Sequence, residues 1–337
     1  MVDDFETVVL PALERAAPGA VRRNADLSQM SRWKIGGAAR VVVEPPNAQA
    51  AAAVMAVMAD RPEPLFVMGD ASNVLFDSAG FDGVILRIGH RMQGMRIEGT
   101  RVWAEAGIWV PLFARRVGCA GLSGIEHTIG IPGTLGGLVL MNGGSQRKGI
   151  GLNVVDVLVA DEKGNLRRID REEAGFAYRT SSLQYQRAVI VEANFELTKA
   201  PVSQVRCEMI RIMAERRAKF PKNLPNCGST FLSDPAMYAT VGPPGRAIEQ
   251  ADLKGLKRGG AQISSQHGNF IVNNGGASSE DVLALIATIR QTVHRQTGHL
   301  MDCEVRHVRP DGEVRPAHVT ADELFGQSGE PRAMAAL

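Results

Sequence analysis

Short apolar runs alternate with helical or glycine-rich connections through the first two-thirds of the chain. Alternating or continuous β-branched stretches predict strands at residues 40–44, 65–68, 84–88, 102–106, 154–160, 166–169 and 189–197. Asp161-Glu162-Lys163-Gly164-Asn165, between two of them, has the turn chemistry of a hairpin. An alanine-rich segment, 48–60, follows Asn47 as a cap and stops before Pro62, which predicts a short helix. Beyond residue 201 the period becomes helical. Residues 202–220 read as a basic amphipathic helix ended by Pro221, with the arginines of 211–217 forming one face of it. A loop rich in Pro, Asn and Gly continues through Pro244. Ser278 and Asp281 then frame a capping box, and Val282, Leu285, Ile286, Ile289 and Val293 recur at helical spacing until Gly298. Those five are expected to be a core face. The tail after Arg309 has no sustained period, and a surface extension or a partly disordered segment is expected there.

This pattern implies a domain over residues 1–200. A second domain over 201–309 and a C-terminal extension over 310–337 follow. A length of 337 residues gives each domain enough apolar material for a core. The net charge of +2 comes without clustered basic residues, so neither nucleic acid nor a membrane is an expected partner. Cys119, Cys207, Cys227 and Cys303 lie far apart with no C-x-x-C pair, which argues against a metal cluster and a disulfide scaffold. Met-Val-Asp-Asp-Phe-Glu lacks the basic start and apolar run of a signal peptide, and no apolar stretch reaches spanning length. A reducing cytoplasm is the expected location, with no obligate protein partner.

Two segments can bring bare backbone to a ligand. In the first, a strand runs into Gly69-Asp70-Ala71-Ser72-Asn73, where backbone N–H groups and the Ser72 hydroxyl could cradle a pyrophosphate. The second is Gly130-Ile131-Pro132-Gly133-Thr134-Leu135-Gly136-Gly137, four glycines around a proline. Neither is the G-x-G-x-x-G dinucleotide fingerprint or the G-x-x-x-x-G-K-[ST] phosphate loop. Taken alone, each also reads as a tight turn in a sheet protein.

These loops belong to an ordered set with Lys34-Ile35-Gly36-Gly37-Ala38, Ala177-Tyr178-Arg179-Thr180-Ser181 and Cys227-Gly228-Ser229-Thr230-Phe231. Gly260-Ala261-Gln262, His267-Gly268-Asn269-Phe270 and Glu304-Val305-Arg306 complete it. The set resembles the UDP-N-acetylenolpyruvoylglucosamine reductase family, also called UDP-N-acetylmuramate dehydrogenases, over residues 25–308. The resemblance implies an α+β fold: a two-lobed FAD-binding domain of the vanillyl-alcohol-oxidase (PCMH) type, with lobes of approximately 1–90 and 91–200, plus a C-terminal α/β substrate lobe. It also implies noncovalent FAD, NADPH as hydride source, and a nucleotide sugar as acceptor. The FAD roles carry onto the two glycine loops.

Hydride added to an enolpyruvyl ether leaves negative charge on the adjacent carbon and its carboxylate, which calls for preorganised positive charge. By the resemblance, Arg179 supplies that charge, Glu304 assists as a protonated hydrogen-bond donor, and Ser229 returns a proton to carbon. Gly228, Gln262, His267 and Asn269 are expected beside the substrate. Each catalytic candidate has a plainer reading: Arg179 a surface ion pair, Ser229 a cap, Glu304 a partner of Arg306. Cys227 has nothing beside it to lower its pKa and reads as packing. His127 reads as a locally satisfied side chain.

Two departures stand out. The family's first loop usually reads G-G-G-S-N, and Asp70 near a pyrophosphate is repulsive unless it points away, as expected here, or pairs with a base. Where the family has a lysine after the serine motif, this chain has Leu232, with the proline one residue later at Pro235. Lys219, Lys222 or Lys254 could replace it as anchor for the substrate diphosphate. Other readings remain open at this level: a paralogous flavoenzyme that reduces or oxidises a related nucleotide sugar, an oxidase or dehydrogenase on the same flavin fold acting on another alcohol or sugar, and a catalytically silent flavin-binding protein.

Overall fold

In the computed structural model, residues 4–221 and 223–326 are described. Contacts divide the chain into two units, the first from residues 1–25, 40–70 and 83–216, the second from 26–39, 71–82 and 217–337.

All seven expected strands form in the first unit. A four-stranded sheet has the spatial order Val21–Asp26, Ala38–Val43, Phe81–Arg87, Leu65–Met68. Its last two strands are parallel, with Leu65 opposite Val84. An antiparallel five-stranded sheet runs Leu166–Asp170, Val154–Ala160, Val189–Glu196, Arg101–Glu105, Met95–Glu98. The hairpin between its first two strands closes as expected: the Asp161 carboxylate accepts from the N–H groups of Lys163 and Asn165. Val21–Asp26 escaped sequence reading because its exposed Arg22, Arg23 and Asn24 break the apolar alternation.

The helix Ala48–Met58 starts where Asn47 accepts from the Ala50 N–H, and its alanines let it pack on both the Val154–Ala160 and Val189–Glu196 strands. The helix Val202–Lys219 buries Val205, Met209 and Ile212. It lies against Gly118 of the helix Val110–Cys119, where an added Cβ would come within 2.9 Å of Met209 Cε and 3.1 Å of Val205.

The second unit packs around the helix Ser279–Thr297. Its capping box of Ser278 and Asp281 and its left-handed Gly298 end are both present, and the five expected core positions are all buried. Against it lie the three-stranded sheet Lys257–Arg258, Ala261–Ile263, Ile271–Asn273 and the buried Trp33, whose indole N–H donates to the Ile271 carbonyl at 2.8 Å. A second sheet pairs Val74–Phe76 in parallel with Arg306–Val308, which pairs in turn with Val314–Pro316.

Two expectations are corrected here. Residues 310–325 are not a surface extension: Val314–Pro316 is a strand, and the helix Ala317–Phe325 buries Ala317, Thr320, Ala321 and Phe325 against Ser279–Thr297. Nine residues hold too few turns to show a helical period, and burial comes from the long helix beside them. The expected division at residue 200 also differs from the contact units. Residues 26–39 and 71–82 join the C-terminal stretch because Trp33 bonds to Ile271 and Val74–Phe76 pairs with Arg306–Val308, partners no local pattern announces. The remainder of the expected extension, residues 327–337, lies outside the described residues.

Candidate active site

Within the first unit the two glycine segments touch. A Cβ on Gly69 would stand 2.0 Å from Thr134 Oγ1, so the absence of a side chain is what lets the loops meet. Backbone bonds seat the second loop: the Gly133 carbonyl accepts from Val110, and the N–H groups of Leu135 and Gly136 donate to Ile108 and Ala106. Gly133 has φ 126°, a conformation that suits glycine, while a Cβ on Gly137 would meet nothing nearer than 3.7 Å. The result is closely apposed backbone with open faces, the kind of cradle a diphosphate needs. Asp70 lies 3.9 Å from the Arg87 guanidinium, which also bonds Glu44. Its charge is offset by a base, one of the two conditions under which it tolerates a neighbouring phosphate.

Arg179 occupies a turn closed by reciprocal bonds between Ala177 and Thr180, and its own φ is 55°. A non-glycine residue held left-handed is strained by about 1–2 kcal/mol and persists only where its surroundings impose it. They do so here. Asn142, just past the second glycine loop, donates to the Ala177 carbonyl at 2.7 Å and accepts from Gly151. Gln184 donates to the carbonyls of Arg179 and Leu140, and the Ser181 hydroxyl donates to Leu140 as well. The arginine turn is thereby fastened to the helix Leu135–Leu140 that continues the glycine loop.

Arg216 is a site residue that sequence reading missed. Its Nε donates to the Gly130 carbonyl at 3.0 Å, and a Cβ on Gly130 would strike its side chain at 2.5 Å. Burial lowers its pKa, and the positive charge of Arg179 lowers it further, so the two guanidinium groups feel one another. The expected exposed basic face therefore holds for Arg211, paired with Glu208 and Glu215, and fails for Arg216. One signal could have found it: Arg216 continues the buried stripe of Val205, Met209 and Ile212 at helical spacing.

The second unit brings Ser229 and Glu304 onto neighbouring backbones. The Glu304 N–H donates to the Thr230 carbonyl at 2.9 Å, Leu232 donates to Asp302, and Phe231 bridges Cys303. Gly228 enters this pairing at φ 79°. Asn73 belongs here too, since its amide donates to the Glu304 carbonyl at 3.0 Å and its own carbonyl accepts from Arg306. Its side chain is thus tied to the glutamate backbone, which leaves its own backbone N–H as the group it could offer a cofactor.

Three expected substrate contacts are likewise engaged within the unit. Asn269 accepts from the Phe231 N–H and donates to the Phe231 carbonyl, bracing the serine segment. Gln262 donates to Gly255 and accepts from Asn274. His267 accepts the Asn269 N–H and packs between Phe220 and Phe270, with its pKa lowered first by burial.

Cys227 is buried, its thiol pushed up to about 12 by desolvation, which fits the packing role. Of the three lysines considered, Lys254 pairs with Glu249 at 3.3 Å, Lys219 is exposed, and Lys222 lies outside the described residues. The extra residue before Pro235 has a structural use: Asp234 caps the helix Pro235–Thr240 by accepting from Ala236. His127 is buried beside the second glycine loop with its pKa pushed down to about 4, chiefly by desolvation. Among the described residues no cluster of His, Cys, Asp and Glu could hold a metal, and no helix is long and apolar enough to cross a membrane.

The chain is similar to known proteins over most of its length. Residues 39–170 match the family model of an FAD binding domain, and residues 220–308 match that of the UDP-N-acetylenolpyruvoylglucosamine reductase C-terminal domain. The chain is 50% identical over 299 residues to UDP-N-acetylenolpyruvoylglucosamine reductase 1 of Corynebacterium glutamicum, covering 89% of each. It is 38% identical over 295 residues to the reductase of Chlamydia muridarum, covering 87% of this chain and 96% of that one. The crystal structure of the Thermus caldophilus reductase superimposes with a TM-score of 0.73 at 29% identity, over 85% of this chain and 98% of that one. The expected α+β fold, with an FAD-binding domain followed by a C-terminal lobe, is borne out. With half its residues shared over nearly the whole of both chains, the protein belongs to the UDP-N-acetylenolpyruvoylglucosamine reductase family.

Proposed function

We propose that the protein reduces the enolpyruvyl double bond of UDP-N-acetylglucosamine enolpyruvate to give UDP-N-acetylmuramate, a peptidoglycan precursor, with NADPH as reductant. FAD, when bound, relays the hydride. Gly69, Asp70, Ala71, Ser72, Gly130, Ile131, Pro132, Gly133, Thr134, Gly136 and Gly137 would hold it, since two glycine loops that meet at Gly69 and Thr134 offer backbone N–H groups of the kind a diphosphate needs. Asn73 contributes its backbone to the same loop.

The chain's own part is to manage charge and a proton. Arg179, preset in a strained turn, stabilises the negative charge that builds on the substrate's carboxylate and adjacent carbon. Ser229 gives that carbon its proton, and Glu304 donates a hydrogen bond to the developing charge. Addition of hydride and then of a proton saturates the bond and leaves the sugar otherwise unchanged. Gly228, Gln262, His267 and Asn269 shape the surroundings of Ser229. The observation that supports this reading is the backbone bond from Glu304 to Thr230, which joins the segment of Glu304 to the residue that follows Ser229. A cytoplasmic location suits thiols none of which is in a disulfide.

The test is anaerobic stopped flow. NADPH should bleach the bound flavin, and the enolpyruvyl substrate should restore its oxidised spectrum. Ser229→Ala should keep the first phase and slow the second by about 10²–10⁴-fold, the span of general acid catalysis. Bleaching without recovery in the wild-type protein would overturn the substrate assignment.

A further inference from the structure

The segment carrying Glu304 is held along two edges. One is the serine segment, through the bonds of Glu304 to Thr230 and of Leu232 to Asp302. The other is the start of the helix Ala317–Phe325. There the Cys303 N–H donates to His318 Nδ1 at 2.9 Å, and the Ala317 N–H donates to the Val305 carbonyl at 2.9 Å. The residues before and after Glu304 are thus both anchored to consecutive residues of a region whose sequence suggested an appendage.

The chemistry of the histidine fits an anchor. Accepting at Nδ1 requires that nitrogen to be bare, so the ring proton sits on Nε2, which faces Asp302 Oδ1 at 3.4 Å. Asp302 is held in turn by Arg290, nearly fully buried, which also bonds Asp322 and the Met301 carbonyl. Burial, and then the charge of Arg290, lower the histidine pKa and keep the ring neutral, while Asp302 and Asp322 act the other way. A proton on Nδ1 would set two N–H groups against each other.

We infer that His318 is a positioning residue for the reduction: it fixes the backbone on which Glu304 is presented, and the helix Ala317–Phe325 is thereby part of the catalytic apparatus. A side chain that must meet a transient charge loses rate steeply when its backbone shifts by an ångström. The inference rests on the role proposed for Glu304 and is tested so that the two can fail separately.

The measurement is the substrate-dependent return of oxidised flavin in the holoenzyme, beside its reduction by NADPH. His318→Leu should slow the first about tenfold or more and leave the second within about twofold. His318→Asn, whose amide oxygen can accept the same N–H, should recover most of the loss. Combined with Glu304→Ala, His318→Leu should add almost nothing, because the histidine acts through the glutamate. Arg315→Gln loosens the ion pairs of the same region with Glu313 and Glu323 away from the Cys303 bond, and should leave both phases alone. The inference is overturned if His318→Leu restores flavin at the normal rate, if the asparagine variant is no better than leucine, or if the two losses add in the double variant. A Glu304→Ala protein with normal reoxidation would remove the glutamate's role itself. A slow Glu304→Ala beside a normal His318→Leu would remove only the histidine's. Should His318→Leu not fold, His318→Ala and its double with Glu304→Ala decide by the same criteria.

Discussion

Ala71 sits where the family's first loop usually has glycine, and the consequence is visible in its backbone: φ is 47°, left-handed, with the methyl group buried. Replacing it with glycine removes the steric strain at the cost of a floppier unfolded chain. Ala71→Gly should therefore raise stability by about 0.5–1 kcal/mol, read as a higher urea midpoint at an unchanged slope.

His127 makes a prediction of opposite kind. Its folded pKa of about 4 lies below the value of an unfolded histidine, so between the two the unfolded chain binds the extra proton. The stability from burying it neutral is complete above about pH 6.5 and declines as pH falls toward about 4, by roughly 3 kcal/mol in all. His127→Phe should flatten this stretch of the stability curve. Equal acid sensitivity in the two proteins would show that another group titrates there.

Among elements, the turn of Arg179 and the glycine loops are the ones that tertiary bonds impose. Asn142, which follows the second glycine loop, bonds both the Arg179 turn and Gly151, with its own φ at 41°. Asn142→Ala should cost about 2 kcal/mol for the lost bonds and strain, and should also slow flavin recovery by substrate, because Arg179 loses its setting. The contact between loops can be tested with a compensating pair. Gly69→Ala drives a methyl group into Thr134 and should leave purified protein depleted of FAD. Adding Thr134→Ala removes the nearest atoms and should restore much of the flavin, measured by absorbance against protein.

For the molecule as a whole, the second unit depends on its last described helix. Phe325 is buried in the same core as Val282 and Ile286. Phe325→Ala should cost about 3 kcal/mol by chemical denaturation, the usual loss for a buried phenylalanine. A dispensable appendage would show no such loss.

What the sequence determined by itself was everything that depends on near neighbours along the chain. Alternation located seven strands, and local chemistry located the Asp161 hairpin, the Asn47 cap and the ends of the helix Ser279–Thr297. Ordered motifs supplied the family, and with it the candidates Arg179, Ser229 and Glu304. Tertiary structure alone decided which distant backbones meet. It drew Val74–Phe76 to Arg306–Val308, turned Asn73 toward Glu304, and laid Arg216 on Gly130. It also made a core element of the helix Ala317–Phe325. Strands of three residues and single polar contacts leave no period, and their stability comes from partners that only the folded chain supplies.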